Sequence, residues 1–200
     1  MDKNKLHTCI CEIIDESFKR LAEIFKCNIE GKPSQVSRLI FPRYRISNEL
    51  RISEQELRFI FVEMFNQYCE KNGIELLYSI ETPSLDKYDF RNNPQTSANG
   101  QSAMFDLVIF DRCFTRRALI EFKANNADEK SHLKDIVKLN NPQEGSDDVL
   151  RYFIEIVENS NNRTTESLIS KFNNADSVFV KVYSLKKEAY VYENYSSSRH

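Results

Sequence analysis

The chain of 200 residues carries 28 Lys and Arg against 30 Asp and Glu, a formal charge of -2, with 40% apolar residues. That length fits one domain with at most a small appendage. The near-neutral balance argues against a protein that coats nucleic acid through net charge, so a polyanion would have to meet a local basic patch.

Residues 4–27 place Leu6, Ile10, Ile13, Ile14, Phe18, Leu21, Ile24 and Phe25 at helical spacing, which predicts an amphipathic helix. Residues 28–51 form a basic connector holding Gly31, Pro33, Pro42, Lys32, Arg38, Arg43, Arg45 and Arg51, with Phe41 and Tyr44 among the charges. Ser53 and Glu56 make a capping box, apolar residues follow at helical spacing, and Asn72-Gly73 ends this second helix. Ile74 to Glu81 reads as a strand. Thr82 to Gly100, polar and with two prolines, reads as a long loop. Met104 to Phe110 and Arg117 to Lys123 are two strands around a short turn. Then come a helix over about Ala127 to Leu139, a loop to Asp148, a strand Tyr152 to Glu158 and a helix Thr165 to Phe172. A hairpin of Val178 to Tyr183 with Ala189 to Tyr192 completes the order. Hairpins mixed with a helical crossover predict an α/β or α+β sheet covered by helices.

Only four glycines are present, and none builds a glycine-rich phosphate loop. No run of about 18 apolar residues is long enough to span a membrane. The charged N-terminus lacks a signal-peptide core, so a cytoplasmic protein without membrane association is expected. Cys9, Cys11, Cys27, Cys69 and Cys113 form no C-x-x-C pair, and reduced thiols fit them better than disulfides or zinc.

Three ionisable residues interrupt apolar strands: Asp106 in Phe105–Phe110, and Glu121 and Lys123 in Ala118–Lys123. Buried charges are costly unless paired or bound to metal. A hairpin centred near Cys113 and Phe114 places residues whose numbers sum to about 227 opposite each other, so Asp106 faces Glu121. Opposed Cβ atoms lie about 4.5–5.5 Å apart, and two ionised carboxylates that close repel. A hard divalent cation resolves the conflict, because Mg²⁺ takes oxygen ligands. Lys123, on the same strand face as Glu121, would sit beside the ion and orient a water or stabilise phosphate charge.

This pattern resembles the PD-(D/E)XK superfamily, the restriction-endonuclease-like nucleases. Their signature is an acid at the start of one strand followed by acid-x-Lys on its neighbour, here Asp106 and Glu121-Phe122-Lys123. The family core runs helix, three antiparallel strands, helix, strand, an order present from about Ser53 to Glu158. Phe105 stands where many members have Pro. Segment Arg51 to Phe65 also looks like that of uncharacterised bacterial proteins carrying this core. The resemblance implies a restriction-endonuclease-like α/β (α+β) core, a central mixed sheet flanked by helices, with an extra N-terminal helix. Residues 1–50 would be that helix and the basic connector, and 51–200 the nuclease-like domain. Many members add an acid on the first core helix, and Glu54 is the best match. The implied cofactor is Mg²⁺, with Mn²⁺ as a substitute, held by Asp106, Glu121 and Glu54. Lys123 would assist a water that hydrolyses phosphodiester bonds, in DNA before RNA.

Several features admit two readings. Lys130, His132, Lys134 and Lys138 either approach a nucleic-acid backbone or form an ordinary charged helix face, and His132 alone reads as a surface residue. The stretch Lys32 to Arg58 either tracks phosphates or packs on the domain's own acids. Asp111 could replace Asp106, although a surface pair with Arg116 is simpler. The alternatives to a nuclease are a catalytically silent nucleic-acid-binding module and a protein-interaction subunit of a defence or mobile-element system. In the latter, the N-terminal helix would serve a homodimer or an accessory partner.

Overall fold

The computed structural model describes residues 1–194 except 92, 126, 173, 174 and 176. Helix α1 (Lys3–Ile29) begins where the Asp2 carboxylate accepts the Lys5 N–H, 2.8 Å away. The connector that follows holds one isolated bridge, Arg43 to Leu50. Helix α2 (Glu54–Asn72) opens on the predicted Ser53–Glu56 capping box and closes on Gly73 at φ 61°, a left-handed position that glycine takes without strain.

The strands are β1 (Leu77–Asp89), β2 (Gln95–Thr96), β3 (Gln101–Phe110), β4 (Arg116–Ala124), β5 (Leu150–Val157), β6 (Phe179–Ser184) and β7 (Ala189–Glu193). They form one sheet in the order β2-β1-β3-β4-β5-β6-β7. Neighbours are antiparallel from β2 to β4, parallel from β4 to β6, and antiparallel again at β7. Each parallel step needs a long crossover. Helix α3 (Glu129–Asn140) carries the chain from β4 to β5, and α4 (Asn162–Lys171) carries it from β5 to β6. The protein is therefore a mixed α/β sheet flanked by helices, as the order of elements predicts.

Side-chain alternation along the strands splits the core into two layers. On one face, Phe18 of α1 and Leu57 and Phe61 of α2 share a cluster with Ile120, Phe122 and Ile154. On the other, Ile136 of α3 and Leu168 of α4 pack with Val108, Leu119, Phe153 and Val180. The division drawn at residue 50 runs through the first cluster, so α1 shares the core of residues 51–200.

The segment Thr82 to Gly100, expected to be a loop, is in large part strand. β1 continues to Asp89, and β2 pairs back onto Tyr88 and Asp89. A register shift between Pro83 and Lys87 marks a bulge. The carboxylate that holds it comes from far along the chain. Buried Glu144 accepts the N–H of Leu85 (2.8 Å), the N–H of Asp86 (3.0 Å) and the Tyr88 hydroxyl (2.7 Å), and pairs with Arg116 at 3.0 Å. Gly100 lies against the Tyr88 backbone, where a Cβ would collide. Asp111 pairs with Arg117 at 3.5 Å rather than with Arg116, which Glu144 has engaged. All five cysteines are free.

Candidate active site

The β3–β4 ladder obeys the predicted register: Leu107 faces Ile120, Val108 faces Leu119 and Ile109 faces Ala118. It stops one step short of Asp106 and Glu121. There the Asp106 side chain takes over, and its Oδ2 accepts the N–H of Phe122 at 2.7 Å. The strands part just where the charged residues begin, and one carboxylate is fixed by the backbone between Glu121 and Lys123.

Helix α2 brings its first turn to the same place. The Asn125 amide, just after β4, donates to the Ile52 carbonyl at 2.8 Å, with Asn125 at φ 61°. This link holds the start of α2 beside the end of β4. Glu54 Oε2 consequently lies 3.7 Å from Lys123 Nζ. Arg58, one turn further along, lies 3.9 Å from Asp106 and 2.5 Å from Glu81. Glu81 sits between Ile80, which pairs with Leu107, and Thr82, which pairs with Phe105, so it flanks Asp106 across the sheet. Its φ of 48° is left-handed, a strained backbone for a residue of this kind, costing roughly 1–3 kcal/mol.

Helix α3 closes the site from the opposite face. Asp135 Oδ2 is 2.5 Å from Lys123 Nζ, and Asp135 Oδ1 is 2.9 Å from Lys138 Nζ. Lys138 also lies 2.5 Å from Glu121 Oε1 and donates to the Met104 carbonyl at 2.9 Å. His132, expected at the surface, is instead buried, with Nε2 2.9 Å from Glu155 on β5. A helix position that reads as solvated from its charged neighbours is covered here because β5 supplies an acid in register with Lys123.

The site is graded from mouth to floor. Side-chain exposure falls from 56% at Glu81 and 39% at Glu54, through 14% at Asp106 and 12% at Lys123, to 2% at Glu121. Burial, reinforced by Asp135 and Asp106 and only partly offset by Lys138, pushes the Glu121 carboxyl well above the usual range. Burial also raises Glu54, against the pull of Lys123. Burial would lower Lys123, but Asp135 together with Glu121 and Asp106 reverses it and holds the ammonium above its ordinary value. Lys138 is raised in the same way by Glu121 and Asp135. Asp135 is lowered, because Lys138 and Lys123 outweigh its burial.

All four residues singled out in the sequence, Glu54, Asp106, Glu121 and Lys123, thus meet at one end of the sheet. Glu81 and Asp135 were missed, and Arg58 and Lys138 were noted only as members of basic stretches. A signal existed for Asp135, since His132, Asp135, Ile136 and Leu139 form one inward stripe of α3. Arg58 is likewise four residues from Glu54, on the same side of α2.

The donors suit a hard divalent ion in kind, being carboxylate oxygens. Glu121 Oε1 and Asp135 Oδ2 are buried, and each has a lysine nitrogen 2.5 Å away. The acids are not assembled around an ion, however: among the described residues, no three His, Cys, Asp or Glu side chains stand at ligand spacing.

Outside this cluster, the basic residues of the connector are largely exposed, and some pair with the protein itself. Arg43 donates to the carbonyls of Asn28 and Asn48, Arg51 pairs with Glu56, and Phe41 is buried, while Arg38, Arg45 and Tyr44 face solvent. A groove of about 790 Å³ between residues 34–39 and Phe59, Ile60 and Glu63 of α2 includes none of the clustered residues. No described helix is long and apolar enough to cross a membrane. The chain matches no family model, no curated protein and no solved structure.

Proposed function

We propose that the protein is a metal-dependent nuclease of PD-(D/E)XK type, hydrolysing phosphodiester bonds in DNA with Glu54, Asp106, Glu121 and Lys123. The observation that carries this reading is the parted end of β3 and β4. Asp106 is fixed on the Phe122 N–H there, between Glu121 and Lys123, with Glu54 3.7 Å from Lys123. The strand order around it, three antiparallel strands and then a parallel one reached through α3, is the one the resemblance implies.

Asp106 and Glu121 would hold Mg²⁺ or Mn²⁺, with Glu54 helping directly or through a water. When bound, such an ion polarises a phosphate oxygen and makes a bound water acidic. The chain's own groups do the rest. Glu54 and Glu81 at the mouth draw a cation in. Lys123, kept protonated by Asp135, acts as a fixed positive charge that orients a water or steadies a phosphate oxygen. It is not a proton acceptor in this arrangement.

Incubating the purified protein with DNA and RNA, in Mg²⁺, Mn²⁺ or EDTA, tests the reading. Cleavage should need the metal and disappear in Asp106→Asn and Lys123→Ala. Metal-dependent cleavage that survives both substitutions would sink it. One observation favours a second reading, a catalytically silent nucleic-acid-binding module: Arg58, Lys123 and Lys138 already pair with the acids they face. Salt-dependent DNA binding without cleavage in any metal would select that reading.

A further inference from the structure

Glu121 and Asp135 are buried acids whose oxygens one lysine nitrogen bridges. Lys138 Nζ lies 2.5 Å from Glu121 Oε1 and 2.9 Å from Asp135 Oδ1. It also donates to the Met104 carbonyl at 2.9 Å. Glu121 Oε1 touches the Lys138 ammonium at ion-pair distance, and Asp135 Oδ2 touches that of Lys123. The Lys138 ammonium thus stands where another cation between Glu121 Oε1 and Asp135 Oδ1 would go.

The geometry points to Lys138 as a resident counter-cation: it occupies the seat of a divalent ion between Glu121 and Asp135, and metal enters by displacing it. This rests on the nuclease reading above and extends it. The site stays neutral enough to remain folded without metal, and its metal affinity is set by competition with its own lysine. Lys138 has somewhere to go. Its Nζ lies 5.5 Å from the Phe105 ring centroid and already donates to the carbonyl of Met104, an exposed residue. Asp135, absent from the motif read in the sequence, becomes a ligand partner of Glu121 once the ammonium leaves. A buried carboxylate pair stripped of its cation is strongly destabilising, so the lysine and the ion should replace one another.

Two measurements on the full chain test this. Calorimetric titration with Mn²⁺ should show Lys138→Met binding at least about tenfold more tightly than the unsubstituted protein. The variant's thermal midpoint, lower without metal, should recover as Mn²⁺ is added. Equal or weaker binding by the variant overturns the inference and leaves the nuclease reading standing. The second measurement needs no variant. Amine-directed labelling of the unsubstituted protein, read by mass spectrometry, should find Lys138 shielded without metal and labelled when Mn²⁺ saturates the site. A Lys138 that stays shielded while Mn²⁺ binds overturns the inference alone. Absence of Mn²⁺ binding in both proteins overturns the inference and the nuclease reading together.

Discussion

Asp106 does two things with two oxygens. Oδ2 stands in for the next rung of the β3–β4 ladder by accepting the Phe122 N–H, while Oδ1 faces Arg58 at 3.9 Å. Charge and hydrogen bond can therefore be separated. Asp106→Asn keeps an acceptor for Phe122 and should leave the thermal midpoint within a few degrees, yet lower metal-dependent cleavage at least about a hundredfold. Asp106→Ala should lose the same activity and also about 1–2 kcal/mol of stability, because a buried N–H loses its partner. Cleavage rates and denaturant unfolding on the two variants check both halves. The same distinction explains what was legible at this scale. Asp106, Glu121 and Lys123 stood out because charges inside apolar strands demand an explanation. Lys138 and His132 did not, because charged residues on a helix are solvated by default. Only the acids of β4 and β5, brought underneath by the parallel crossover, bury them.

The position of Glu54 is set by elements. The capping box fixes where α2 starts, and the Asn125–Ile52 link fixes that start against the end of β4. Asn125→Gly retains access to positive φ but removes the link. It should cost about 1 kcal/mol while lowering cleavage several-fold more than unfolding explains, as paired activity and thermal-melt measurements would show. On the face that α1 and α2 share, buried Lys181 of β6 ties α1 to β7, lying 3.0 Å from Asp15 and 2.6 Å from Glu193, with Tyr190 and Cys11 also facing it. Burial lowers its pKa, but Glu193 and Asp15 raise it further, so the net shift is upward. The stabilisation is therefore complete below the unfolded lysine value, about 10.4, and fades as pH rises through the higher folded value. Lys181→Met should cost about 2 kcal/mol at pH 7, discounted for the half-exposed Asp15. The deficit should stay constant to about pH 10 and shrink above it, as melts across that range would reveal. Most helices and strands were legible from period and caps. The extension of β1 was not, since Glu144, which satisfies its bulge, lies more than fifty residues away.

At the scale of the molecule, the sheet has helices on both faces, and α1 is a wall of it. Leu6, Ile10, Ile14, Phe18, Leu21 and Ile24 are each at most 1% exposed. They share a cluster with α2 and the strands that carry the site. The sequence showed the apolar stripe of α1 but not what it meets, because an amphipathic helix looks the same whether it faces its own sheet or another chain. Magnitudes separate the two cases. Six large side chains at roughly 1.5–3 kcal/mol each rival the whole stability of a domain, about 5–15 kcal/mol. A helix that merely docks partners could be removed with the fold intact; this one should not be removable. Deleting residues 1–30 should leave a chain without a cooperative thermal transition and with strong binding of a hydrophobic dye. Cleavage should be lost because Phe61 and Phe122, which seat α2 against β4 with ring centroids 5.4 Å apart, lose their cover. A truncated chain that melted in one transition near the full-length midpoint would return α1 to the role of an appendage and leave residues 51–200 as a self-sufficient domain.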